Sequence, residues 1–396
     1  MIKQLRTTGF VQMAIIAMFL FALVPGVVQA DTFPVASGDV AGLIAAITAA
    51  NGNGVADTIN LAGGTYTLTL FDNFIEGFNG LPSITSEIII NGNDSIIERS
   101  SAGGTPEFRI FHIASGGNLR LEAVTVRNGL NSIFAGGVLN DGALSINSST
   151  VSDNNGTFLG GGVWNRGLLD VQDSIFANNQ ASLGGGILSS DSLAGLTISR
   201  STFVGNSAST VCGAIASEGS LAVHNSTFSG NSAEIDGAAI CNDGVGAISN
   251  STLSGNSAPA PGGTLVNEGE LTIKNTIVGD NLAADCVGFG VSTVIVLGDN
   301  LDTDGSCLGF TQITSAQMNL DSLADNGGPT ETQALLSGSL AIDMVSDCTL
   351  VDGTTPVAVD QRGVARPVGT ACDVGAYETG ALNTSGVGGG SVVPGS

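Results

Sequence analysis

The run Ser220-Leu221-Ala222-Val223-His224-Asn225-Ser226-Thr227-Phe228-Ser229-Gly230-Asn231-Ser232, followed by Gly237-Ala238-Ala239-Ile240, decides the fold because it recurs along the chain. Its phenylalanine stands in a column Val126, Val151, Phe176, Phe203, Phe228, Leu253, Ile277, with steps of 25, 25, 27, 25, 25 and 24 residues. A second column is Leu121, Ile146, Val171, Ile198, Val223, Ile248, Ile273. A third is Asn154, Asn179, Asn206, Asn231, Asn256, closed by Asp280 or Asn281. A fixed period of about 20–50 residues marks a solenoid. The segments within one unit are short, β-prone and punctuated by Gly and Asn, which tolerate the positive φ of sharp corners. None shows a helical period.

Three short strands per unit fit a parallel β-helix with coils stacked about 4.8 Å apart. One coil cannot bury its inner residues alone, so neighbouring coils supply the core. Phe176, Phe203 and Phe228 then stack inside the tube. The Asn column becomes a ladder of side-chain amides, each bond contributing roughly 0.5–1.5 kcal/mol net. The fold class is therefore all-β: a single-stranded right-handed parallel β-helix with a short N-terminal capping helix and a disulfide-containing C-terminal cap.

The pairs Phe176…Asn179 with Gly185-Gly186-Ile187, Phe203…Asn206 with Gly213-Ala214-Ile215, and Phe228…Asn231 with Gly237-Ala238-Ala239-Ile240 resemble the FxxN and GGA[IL] repeats of chlamydial polymorphic outer membrane proteins. Gly136-Gly137-Val138 and Gly161-Gly162-Val163 read the same way, whereas Val151 and Leu253 depart from the Phe. The resemblance implies a right-handed, pectin-lyase-like β-helix displayed at a cell surface. Toward the end, Asn300-Leu301-Asp302, Ala324-Asp325-Asn326-Gly327-Gly328-Pro329, Asp360-Gln361-Arg362-Gly363 and Cys372-Asp373-Val374-Gly375-Ala376-Tyr377-Glu378 occur in order. This series resembles the choice-of-anchor Q domain of secreted β-helix proteins. The segment Leu43–Leu70 resembles the opening of many secreted bacterial β-helix proteins.

Lys3, Arg6, the apolar run Val11–Val28 and Val28-Gln29-Ala30 read as a secretion signal cleaved near Ala30. The organisation expected is a signal peptide over 1–30, an N-terminal cap and irregular coils over 31–118, and regular repeats over 119–282. A C-terminal domain over 283–379 and a flexible Gly/Ser-rich tail over 380–396 complete it. The location implied is extracellular or at the cell surface, associated with the outer membrane. No transmembrane segment is expected in the mature chain. The formal charge is −24, and cleavage would remove two basic residues and no acidic one, so nucleic acid is excluded as a partner.

Export permits disulfides. Cys286 with Cys307 and Cys348 with Cys372 each close a modest loop and are expected to pair. Cys212 and Cys241 lie 29 apart, out of register with the repeat, which disfavours their bridge. For the first helix, Ser37 is the expected N-cap, Val40, Leu43, Ile44 and Ile47 the apolar stripe, and Asn51-Gly52 the end. Phe71, Phe74 and Phe78 would form an exposed patch or plug the tube end, and the plug is preferred. Arg362 and Arg366, beside Asp343, Asp360, Asp373 and Glu378, should form an ion network locking the C-terminal cap.

No catalytic, cofactor-binding or metal-ligating residue is assigned. Glu218, Asp243 and Glu268 recur every 25 residues and should stack as an acidic column, a solvated turn position that a cation such as calcium could also occupy. Asn300-x-Asp302-x-Asp304-Gly305 is half of a calcium loop, with Thr311 where the last glutamate belongs. His112 and His224, the two histidines, lack a nucleophile and carboxylate at motif spacing. The reading that follows is a non-enzymatic β-helix for adhesion or structural display, with a surface polysaccharide or a protein of a host or neighbouring cell as partner. The alternative is a carbohydrate-active enzyme, a polysaccharide lyase or glycoside hydrolase, of the same fold. Carboxylates clustered with a lone arginine on one outer face would favour the enzyme.

Overall fold

The computed structural model describes residues 29–131, 134–288 and 292–380. The expected leader, apart from its last two residues, and the tail beyond Gly380 lie outside the described residues. The chain winds into a parallel β-helix. One inward column runs through eleven coils in register: Phe33, Ile59, Ile90, Leu121, Ile146, Val171, Ile198, Val223, Ile248, Ile273 and Val296.

A representative coil has four strand segments. Ser220–His224 and Thr227–Ser229 belong to the first sheet, Ser232–Ala233 to a second and Ile240–Asn242 to a third. The bend inside the first sheet is made at Asn225, with φ +48°, and its equivalents Asn250 and Asn275. Asn adopts this left-handed geometry at low cost. After the bend, hydroxyls form a ladder that period-reading missed. Backbone N–H groups of Ser149, Ser174, Ser201 and Ser226 donate to the Oγ of Ser174, Ser201, Ser226 and Ser251 at 3.1–3.3 Å.

The amide ladder forms as expected. Asn206 Nδ2 donates to Asn231 Oδ1 and to the Phe176 carbonyl, both at 2.9 Å, and all members from Asn154 to Asn256 are buried. Asn281, not Asp280, closes it, accepting from the Asn256 N–H at 2.9 Å. Phe176, Phe203 and Phe228 stack with ring centroids 4.8 Å apart. The same column runs through Val278, which registers with Leu253, whereas Ile277 registers with Thr252. The expectation of Ile277 was one residue short because alternate side chains of a strand face opposite sides. Ile277 instead packs with Val374 and Cys372 of the C-terminal segment.

That segment lies along the side of the later coils. Gln361 is buried, donating to Thr202 Oγ1 at 2.9 Å and accepting from Thr227 Oγ1 at 2.6 Å. The expected network is present. Arg362 reaches Asp360 through Nε at 3.0 Å and Nη2 at 2.7 Å, and Arg366 pairs with Glu378 at 3.6 Å. Asp343 serves differently, accepting backbone N–H bonds from Thr370 and Ala371.

Several expectations need correction. The helix is capped by Asp39, which accepts from the Gly42 N–H at 2.9 Å; it starts at Val40, so Ser37 is too far upstream. Its buried face (Leu43, Ala46, Ile47, Ala50) joins the core at the tube's entrance. The end is therefore already covered, and Phe71, Phe74 and Phe78 stand 42%, 67% and 40% exposed, the last two on the hairpin Asn73–Phe74/Phe78–Asn79 and Phe71 packed on Phe78 just before it. All three disulfides form, including Cys212–Cys241. At this corner the chain folds a residue against the one four positions on, as at Gly160 with Trp164 and Gly184 with Leu188. A bridge across one 25-residue coil plus that fold spans the observed 29 residues. Spacing judged against the coil period alone could not anticipate it.

Candidate functional site

The outward face of the third sheet forms a walled strip, a groove with separate cavities along it. Its floor is a register row: His112, Leu139, Trp164, Leu188, Ala216, Cys241, Val266 and Val287. Eight rows at the spacing of stacked strands make it roughly 34 Å long. The alternate residues Val138, Val163, Ile187, Ile215 and Ile240 point into the core, so strand pleating alone sends these side chains outward. One wall is Phe134, Leu159, Leu183, Val211 and Asp236, from the preceding strands folded over the corner. The opposite wall is the turn residue that follows each floor strand: Asp141, Arg166, Ser190, Glu218, Asp243 and Glu268.

The expected acidic column is thus half of a longer wall. Around Glu218, Asp243 and Glu268 the groove encloses 230 Å³ over Leu188, Ala216 and the Cys212–Cys241 bridge. Partial burial raises the Glu218 carboxyl, and Asp243 and Asp191 raise it further. Burial likewise raises Asp243, with Glu268 adding to it. This half is an apolar floor beside carboxylates that are in no ion pair among the described residues.

The other half was not legible in the sequence. Arg166 Nη2 bonds Asp141 Oδ2 at 2.8 Å and also pairs with Glu76, which is carried in by the exposed hairpin. Its guanidinium lies 4.8 Å over the Trp164 ring, which in turn packs 4.9 Å from Phe134. His112 Nε2 sits 3.3 Å from Asp141 and Nδ1 2.9 Å from Ser83 Oγ. A cavity of 470 Å³ opens here, lined by Ile75, Glu76, His112, Asp141, Arg166 and Asp191. The one available signal was that Asp141 and Arg166 are 25 residues apart. Glu76 lies 90 residues before Arg166, and no period reaches it.

Ser83, His112 and Asp141 form a hydrogen-bonded chain that motif spacing did not reveal. Ser83 is buried and does not line the cavity, so its Oγ has no room to meet a substrate. His224 faces Arg200 on the first sheet, where burial and that charge hold its pKa down. Burial pushes the Asp141 carboxyl up, but hydrogen bonds from His112 and Arg166 outweigh it and bring it to about 2. The hydrogen bond to Asp141 raises Arg166, so its guanidinium stays protonated. Neither group suits proton transfer at neutral pH: a general acid needs a raised carboxyl, and an eliminating base a free lone pair.

The lowered Asp141 value has a consequence for stability. Its contribution is complete above its ordinary value of 3.8 and is lost as pH falls toward about 2. Asp141→Asn is expected to cost on the order of 1–2 kcal/mol at neutral pH, allowing for the part-exposed partner Arg166. Urea unfolding at stepped pH should show the wild-type advantage shrinking between about pH 4 and pH 2. A gap that stays constant to the lowest pH would refute the ion-pair assignment.

The chain is similar in structure to the pectate lyase Pel9A, with a TM-score of 0.53 and 16% identity over 89% of this chain and 97% of that one. At that identity the likeness establishes the fold, a pectate-lyase-type parallel β-helix. No family model matches the sequence, and no curated protein does. No helix among the described residues is long and apolar enough to cross a membrane.

Proposed function

We propose that this protein is an exported, surface-displayed β-helix for adhesion or structural display, and that its groove holds a linear polysaccharide. The observation that carries the reading is the groove itself. It runs along the third sheet, is stapled by Cys212–Cys241 and carries an arginine-capped indole two coils from its first row. A rigid trough with an apolar floor and polar rim suits an extended chain of repeating units better than a single small molecule. Export is supported by the leader-like start and three disulfides. Surface display is supported by the resemblance to chlamydial-type repeats and to the choice-of-anchor Q domain. The division at 31–118, 119–282 and 283–379 belongs to this reading.

A carbohydrate-active enzyme is the second reading. It is favoured by the gathering of Glu76, Asp141 and Asp191 around Arg166 on one outer face. The locked charges at Asp141 and Arg166 weigh against it. A panel of neutral and acidic polysaccharides, with and without calcium, separates the two. Retention without product supports the binding role, and Arg166→Ala is expected to weaken it about tenfold or more. Release of unsaturated or reducing-end products would overturn the non-catalytic reading. Absence of both binding and turnover would remove polysaccharide as the partner.

A further inference from the structure

The inward column that holds Phe176, Phe203, Phe228, Leu253 and Val278 continues one coil further to Asp302, which registers with Val278. A carboxylate therefore occupies a core position filled by apolar side chains in the preceding coils. Asp302 is 1% exposed. Its Oδ2 accepts from the Cys307 N–H at 3.1 Å, while its Oδ1 is buried with no hydrogen-bond partner among the described residues. An unpaired buried charge is costly, and native folds rarely leave one uncompensated.

Two further carboxylates converge on it. Asp285, also 1% exposed, comes from Ala284–Val287, and Asp304 from the turn after Leu301–Asp302. Oxygens of all three lie within 4.8 Å of one another. None of the three is in an ion pair among the described residues. Their other contacts fix them in place. Asp285 Oδ2 accepts from the Thr303 N–H and hydroxyl, both at 2.9 Å, and its Oδ1 from Asn281, the last member of the amide ladder. Asp304 accepts from the Asp285 N–H at 3.1 Å and from Ser306. The grouping departs from the half calcium loop read in the sequence. Asn300 is turned away, accepting from the Thr276 N–H at 2.9 Å, and Asp285 takes part instead.

We propose that Asp285, Asp302 and Asp304 bind one calcium ion, which closes the last coil of the β-helix. Oxygens around calcium at about 2.3–2.6 Å can stand at most about 5 Å apart, so the observed spread accommodates one ion. Hard oxygen donors select calcium or magnesium. Magnesium holds its water tightly, whereas this cluster is largely buried and offers carboxylates in place of water. The ion joins the segments tied by Cys286–Cys307, one from the third sheet and one from the first. It does not depend on the groove or on the polysaccharide reading.

Calcium titration of the chelator-stripped full chain by calorimetry tests this. One saturable site is expected, with Kd of about 10⁻⁴–10⁻³ M, and a Tm rise of roughly 2–4 °C near 10 mM calcium. Asp302→Asn and Asp304→Asn should each weaken binding at least tenfold. Asp304 is exposed, so its variant remains informative if the buried one fails to fold. Without calcium, Asp302→Asn should be at least as stable as wild type, and saturating calcium should reverse that order. Absence of saturable binding would overturn the proposal. So would an equal response to magnesium, or binding that survives both variants and disappears in Asp243→Asn.

Discussion

Arg366→Ala is expected to release the C-terminal segment from the side of the solenoid, at a cost of about 3–5 kcal/mol. The Arg366 side chain is fully buried, donating to the carbonyls of Asp373 at 2.8 Å and Gly375 at 2.6 Å while lying 3.6 Å from Glu378. Glu378 in turn accepts from the N–H groups of Val368 and Asp373. Removing the guanidinium leaves two carbonyls unpaired and a buried carboxylate uncompensated. Burial already pushes Glu378 up, so it would take a proton and lose its hold on those amides. Arg366→Lys should fail too, because one ammonium cannot reproduce the planar two-carbonyl contact. Limited proteolysis reads the outcome: cleavage should appear within Gly327–Thr379 while the regular coils stay protected. Wild-type resistance in both variants would show that Gln361 and the apolar contacts to Ile277 hold the segment unaided.

Phe203→Ala should destabilise the middle of the tube by about 3–5 kcal/mol. The ring is fully buried and stacked on Phe176 and Phe228 at 4.8 Å on either side. Truncation opens a cavity between two coils that each lose a ring partner, and parallel strands on a common axis cannot collapse sideways to fill it. Phe203→Leu should cost less, about 1–2 kcal/mol, because the column accepts Leu253 and Val278 at equivalent positions. Hydrogen exchange would locate the loss. Amides of Ile175–Ala177, Thr202–Val204 and Thr227–Ser229 should exchange faster, and Phe33–Ile59 should be unaffected. A uniform change along the chain would mean the solenoid unfolds as one block.

These effects differ in how visible their causes are in the chain. The Phe column, the amide ladder and the Arg362/Arg366 network were readable. Each rests on a residue type repeated at coil spacing, or on scarce cations placed among carboxylates. A stacked coil sets each residue above its counterpart one period away, so sequence periodicity becomes spatial contact. The same logic found Glu218, Asp243 and Glu268, but not that they form one wall of a trough. The trough depends on the preceding strand folding over the corner.

Only the tertiary structure could decide contacts that cut across the period. Cys212 meets Cys241 because a corner fold adds four residues to one coil. Arg166 meets Glu76 because a hairpin inserted in an early coil reaches three coils along the outer face. Asp285 joins Asp302 and Asp304 where the repeat ends and the chain changes direction. The sequence by itself determined the solenoid, its core and its ladders, because translation along one axis maps a repeat directly onto contacts. Corners, insertions and ends break that translation. There the partners of a side chain depend on the path of the backbone in three dimensions, and the groove and the carboxylate cluster both lie in such places.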